Sequence, residues 1–208
     1  ITVDLRNILI KLSPDVSLPS ELLPIQQVKQ LYQQNCSACH GVMGQGDGTL
    51  AASLDPTPTN FTDKERAMNR SVIGLYDAIT NGIEGTAMVA LSHLDEKQRW
   101  SLAFYAGSLA FQDHTGLATV PTAMTIQDFV SNSPQTLLNK YPTLDDDTVA
   151  QLRSHPEPLF ASNDPLAMAK QQLKAAHTSY LSGDYKAAQA LAVSAYLDGF
   201  ELAENALD

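Results

Sequence analysis

Apolar residues recur at helical spacing along several stretches of this chain, and no stretch alternates as a half-buried strand would. Val28, Leu31, Tyr32, Cys36 and Cys39 predict one helix, closed just after His40 by Gly41. Leu75, Tyr76 and Ile79 predict a short helix over Ile73 to Gly82. Trp100, Phe104, Gly107 and Phe111 predict another, with Asp95 as its N-cap and an end near residue 112. Between the first two, residues 41–62 hold Gly41, Gly44, Gly46, Gly48, Pro56 and Pro58, which reads as a long loop. Residues 1–24, with Pro14, Pro19 and Pro24, read as an irregular lead-in with a short helix near Leu5 to Leu12.

The pattern changes after residue 115. Residues 116–124, beginning at Gly116 and including Pro121, read as a linker. Beyond it, Ser133-Pro134 and Asp164-Pro165 each pair a capping residue with proline at the first helical position. Leu166, Ala169, Leu173, Ala176 and Tyr180 form one stripe. Gly183-Asp184 breaks it, and Tyr185, Ala188, Leu191, Ala192, Ala195 and Tyr196 form the next. The run AMAKQQLKAAHTSYLSGDYKAAQALAVSAYLDG resembles a single tetratricopeptide-type hairpin. One copy is no array, which needs about three. The expected fold is all-α, with one domain over residues 25–115 and a small helical-hairpin domain over 125–208.

Composition narrows the function. The chain has 208 residues and 44% apolar residues, enough for a packed core. No apolar run approaches the roughly 20 residues needed to span a bilayer. The net charge is −10 and is shared by both halves: residues 1–120 carry 8 basic and 12 acidic residues, and residues 121–208 carry 5 and 11. That balance argues against nucleic acid and anionic membrane surfaces, and favours a cationic partner. The chain opens on Ile1, as expected of a chain whose leader is removed at maturation.

Only two cysteines occur, Cys36 and Cys39, and His40 follows directly. A disulfide across that spacing would staple almost nothing. A four-ligand zinc site would need a second ligand pair, and no further cysteine exists. A thioredoxin-like dithiol would need a preceding strand, and none is indicated. Cys36-Ser37-Ala38-Cys39-His40 instead has the C-x-x-C-H spacing of covalent haem attachment. Two thiols one helical turn apart can reach the vinyl groups on one porphyrin edge, and the histidine after them can ligate the iron.

Two longer segments carry a family resemblance. CSACHGVMGQGDGTLAASLDPTPTNFTD resembles the haem helix, glycine-rich loop and proline-bearing turn of class I cytochromes c, and LYDAITNGIEGTAMVALSHLDEKQRWSLAFYAGSL is similar to that family's sixth-ligand loop and C-terminal helix. The resemblance implies one covalent haem c, single-electron transfer, and an extracytoplasmic, periplasmic setting. It also implies no catalysis by the haem domain itself, because a six-coordinate iron has no open position. It places the haem on Cys36, Cys39 and His40, Pro58 beside the proximal imidazole, and the sixth ligand at Met88. Val89 follows Met88 where the family usually has proline, and His93 is the rival ligand. The first and last helices of the family cross against the haem, so Val28 and Tyr32 would meet Trp100, Phe104 and Gly107.

A further resemblance concerns the end of the chain. AVSAYLDGFELAENALD, following a cytochrome c domain, resembles the extracytoplasmic part of bacterial iron permeases fused to a cytochrome c. It implies a membrane permease beyond residue 208, a tether to the membrane, and a role in iron oxidation and uptake. Glu201 and Glu204, three apart, would share one helix face and are suited as hard ligands to iron, though a solvated face explains them equally. A free-standing cytochrome shuttling electrons between a dehydrogenase and an oxidase, or a redox-sensing interaction protein, remains compatible with the same residues.

Overall fold

The computed structural model describes residues 17–113, 120–121, 124–161, 165–181 and 183–201, which form two compact units divided between Pro156 and Glu157. Helices account for the regular structure, and no strand occurs among the described residues, so the fold is all-α as expected. The suggested helix at Leu5 to Leu12 lies outside the described residues.

The first unit begins with α1 (Ile25–Asn35), which buries Val28 and Tyr32, and continues into the short α2 (Ser37–His40). The expected single helix is bent at Cys36 (φ −121°, ψ −34°), yet the hydrogen-bond ladder runs on, from Cys36 N to Tyr32 O and from His40 N to Cys36 O, both 2.8 Å. The 41–62 loop holds one 3-10 turn, Ala51–Ser53. α3 (Lys64–Met68) lies in the charged run and is capped by Asp63, while α4 (Val72–Asn81) is capped by Ser71. α5 (Glu96–Ser108) starts at Asp95 in a full capping box with Gln98, then tightens into a 3-10 turn over Leu109–Phe111.

α5 is buried on nearly every side: Trp100, Ser101, Leu102, Ala103, Phe104, Ala106 and Ser108 are all inside. A helix buried all round needs neighbours on every face. α4 supplies one, with Tyr76 stacked on Trp100 at 4.0 Å. α1 crosses a second face, where Tyr32 and Tyr105 meet edge to face at 5.1 Å. The crossing of first and last helices is as expected, but its aromatic partner is Tyr105. Trp100 turns to Tyr76, and Phe104 stacks on Phe129 at 6.2 Å.

Phe129 belongs to residues that the sequence assigns to the second domain. α6 (Ile126–Ser131), α7 (Pro134–Lys140) and α8 (Asp146–Ser154) lie in the first unit. The 116–124 segment was expected to divide the domains; the contacts divide the chain between Pro156 and Glu157 instead. The reason is burial. Phe129, Val130, Leu137, Val149 and Leu152 are sealed inside, and α5 and α8 pack together. Asp128 anchors α6 to α7: burial alone would raise its carboxyl, but hydrogen bonds from Lys140, Tyr141 and Thr125 draw it down to about 2.

The second unit contains α9 (Glu157–Ala161), α10 (Pro165–Leu181) and α11 (Tyr185–Ser194), followed by a wide π-type turn over Ala195–Phe200. α10 and α11 form the expected hairpin, with Asp184 capping α11. The expected stripe on α10 splits. Ala169 and Ala176 are buried with Ala188 and Ala195, whereas Leu166, Leu173 and Tyr180 stay exposed. Small residues allow the close approach, and the larger ones are left on the open flank.

Phe129→Ala tests whether α6 to α8 belong to the first unit. It should cost about 3–5 kcal/mol in denaturant unfolding. The loss should show equally in any signal from the 25–110 region and in helical ellipticity. The exposed Gln127→Ala should stay within about 0.5 kcal/mol.

Candidate functional site

A cavity with an empty volume of about 1150 Å³, counted to its open mouth, is enclosed by α1, α2, the 54–61 segment, α4, the 83–91 loop and α5. Its wall is largely apolar: Leu54, Leu75, Ile79, Leu91, Leu102 and Ala106 contribute. Leu102 and Ala106 are four apart on α5, so one helix face supplies both.

Cys36, Cys39 and His40 stand together on this wall, with Pro58 and Met88 also lining it. Both cysteines are free thiols and partly exposed. Burial first, and then the neighbouring Cys39, pushes the Cys36 thiol up to about 12. His40 Nδ1 lies 3.0 Å from the Thr59 carbonyl. A carbonyl can only accept, so Nδ1 carries the proton and Nε2 keeps its lone pair for a metal. Burial lowers the His40 pKa, opposed by that hydrogen bond, and so favours the neutral ring. Phe61 stacks on the imidazole at 4.5 Å and fixes its plane.

The loop after the motif is tied to the helix it leaves. Gly46 N donates to His40 O at 2.8 Å, Gly48 N to Cys39 O at 3.1 Å and Leu50 N to Ala38 O at 2.9 Å. Carbonyls left open at the end of a short helix are thereby satisfied. Phe61 N then bonds Gly44 O at 2.7 Å, which brings Thr59 and Phe61 back to His40. Neither residue was expected from the sequence. The need of a metal-binding histidine for a second-nitrogen acceptor was the available signal.

Met88 sits on a loop held at both sides. Ile83 N donates to Met88 O at 2.8 Å, Met88 N to Thr86 Oγ1 at 3.1 Å, and Leu91 N to Ile79 O at 2.9 Å. Gly82 makes the approach possible. It has φ 72° and ψ −170°, a region open essentially to glycine, and a Cβ there would fall 2.7 Å from Met88 O. His93 is elsewhere: it is exposed, and its Nε2 lies 3.0 Å from Asn35 Oδ1. Met43 is 66% exposed and Met124 is buried away from the cavity. Glu201 is exposed near the end of the second unit, and Glu204 lies outside the described residues. Among the described residues no three His, Cys, Asp or Glu side chains gather as a metal site.

Two free thiols, a neutral imidazole with a free Nε2 and a thioether, set on the wall of one largely apolar cavity, are a donor set that fits an iron porphyrin. Such a helical fold around such a cavity fits a haem-binding domain. Residues 25–110 match the family model described as Cytochrome c, and this segment is a class I cytochrome c domain, whose family carries covalently bound c-type haem. Domains of this family typically work outside the cytoplasm, and among the described residues no helix is long and apolar enough to cross a membrane. No curated protein matches the chain. Among solved structures, the chain is similar to a component of the reducing HAO-like protein complex of Kuenenia stuttgartiensis, at 26% identity and a TM-score of 0.39, covering 52% of this chain and 53% of that one. The match thus spans about half the length of that relative.

Gly82→Ala should destabilise the domain by about 1–3 kcal/mol through backbone strain alone. The clash with the Met88 carbonyl adds to that. Gly85→Ala also takes a positive φ, but nothing lies within 4 Å of its Cβ. It should therefore cost less than Gly82→Ala in thermal unfolding.

Proposed function

We propose that this chain carries single electrons on a c-type haem attached through Cys36 and Cys39 and ligated by His40 and Met88. The haem, when bound, supplies a one-electron couple. The observation that carries the reading is the His40 imidazole, tied through Nδ1 to the Thr59 carbonyl while lining the same cavity as both thiols and Met88. Thr59 holds the ring orientation and raises the basicity of Nε2. Pro58 and Phe61 line the same cavity beside His40. Ile83 and Val89, both exposed at the cavity's edge, form the surface at which a redox partner would approach.

Acid–acetone extraction should leave the pigment on the protein, and replacing Cys36 and Cys39 together by alanine should give protein that loses it. Met88→Ala should abolish the weak sulfur-to-iron charge-transfer band of the oxidised form, lower the potential and admit small ligands. His93→Ala should leave the band intact. The reverse pattern in these two variants would move the sixth ligand to His93.

A finer reading couples this electron transfer to iron uptake, with the chain as the extracytoplasmic part of an iron permease. Its support is the resemblance of residues 192–208 to such fusions and the negative charge of that region. Ferrous iron would give one electron to the oxidised haem domain and leave as ferric iron, with Glu201 and Glu204 as the entry point. Carboxylates favour the more highly charged ferric ion, which helps ferrous iron release its electron. Anaerobic mixing of oxidised protein with ferrous iron should reduce it, and Glu201→Gln with Glu204→Gln should slow the step without changing the spectrum. Equal rates would remove the glutamates. No reduction, at a measured potential high enough to accept the electron, would favour a free-standing carrier between a dehydrogenase and an oxidase.

A further inference from the structure

Arg153, on α8, is 2% exposed and lies inside the first unit. Its guanidinium has no carboxylate partner among the described residues. Nη2 donates to two backbone carbonyls, Arg70 O at 3.2 Å and Asn132 O at 3.3 Å. Its carbon sits 5.0 Å above the Phe129 ring, and buried Nε has no hydrogen-bond partner among the described residues. Removing a charge from water without an opposite charge is costly, and a buried arginine is ordinarily paired. Methionine or leucine would fill the same space without that cost.

The position of this charge is informative. The backbone it holds, at Arg70, carries a side chain that lines the cavity. On α5, a side chain at Gly107 would come within 3.5 Å of Arg153 Nη1 and 3.2 Å of Leu75 Cδ1. Leu75 lines the cavity, as does Ala106, the neighbour of Gly107. Arg153 thus lies within ordinary contact distance of the Gly107 position, beside residues of the cavity wall.

We propose that Arg153 is a fixed positive charge that raises the reduction potential of the haem site, so that the helices following the cytochrome c segment tune the redox centre as well as pack on α5. The inference rests on the electron-transfer reading above. Uptake of one electron lowers the charge of the site by one and moves no proton. A cation fixed in a medium of low dielectric favours that change, and salt screens it little because it is buried. The hydrogen bonds to the carbonyls of Arg70 and Asn132 hold the charge in place and compensate part of its desolvation. Burial does lower the guanidinium's pKa, toward about 9, but the group stays protonated at neutral pH.

The test is potentiometric titration of the purified full chain with three variants: Arg153→Met, Arg153→Gln and Arg153→Lys. Lys keeps the charge and loses the fork. Gln loses the charge and keeps a donor for the carbonyls, which guards against a Met variant that does not fold. The charge-free variants should shift the one-electron equilibrium toward the oxidised form by about tenfold, which is 59 mV. The shift should persist in high salt. Arg153→Lys should stay close to the parent, and the sulfur-to-iron band should be unchanged throughout. An unchanged potential in a folded neutral variant overturns the proposal, as does an equal shift in the Lys and neutral variants, which would mean a structural role. A chain that binds no covalent haem would instead sink the electron-transfer reading itself.

Discussion

The burial of α5 on nearly every side is the constraint on which the first unit depends. Its Leu102 and Ala106 must face an apolar cavity, its Tyr105 must meet α1, its Trp100 must meet α4, and its Phe104 must be covered by something beyond the cytochrome c segment. Phe129 does the covering. With each large side chain worth about 1.5–3 kcal/mol when fully buried, no one of these faces can be left open cheaply. The extra helices α6 to α8 are therefore continuous with the core of the haem domain rather than a neighbour attached to it.

The motif and the helix starts were legible because each is coded locally. Cys36, Cys39 and His40 need only their spacing to be read, and Asp95 and Ser133 announce helices through capping chemistry that involves residues three apart. Thr59 was not legible, because it contributes a backbone carbonyl, which any residue type would offer. Its place beside His40 comes from the path of the loop, set by hydrogen bonds from Gly46, Gly48 and Leu50 to the carbonyls of α2.

The contact-based division of the chain between Pro156 and Glu157 is not visible in composition for a related reason. Gly116 and Pro121 are turn formers, and turn formers do not tell a linker between domains from a loop within one. The deciding contacts join residues far apart in sequence, Phe104 to Phe129 and Arg153 to Arg70, and composition does not record such pairs. On α10 the periodicity was right and the assignment of faces was not. Ala169 and Ala176 make the helix contact because they are small, and hydrophobicity alone would have chosen Leu166 and Leu173.

An arginine kept inside an apolar core at the cost of its hydration argues that stability was not the sole demand on that position. Had the α8 packing only needed to be filled, an apolar side chain of similar length over Phe129 would have served. The carbonyls of Arg70 and Asn132 are what make its charge tolerable there. Beside that position lies a cavity whose wall is largely apolar and whose natural occupant changes charge by one when it works. A low-dielectric wall that excludes water weakens screening, so a fixed charge behind it acts on the redox centre more strongly than an exposed charge at the same distance.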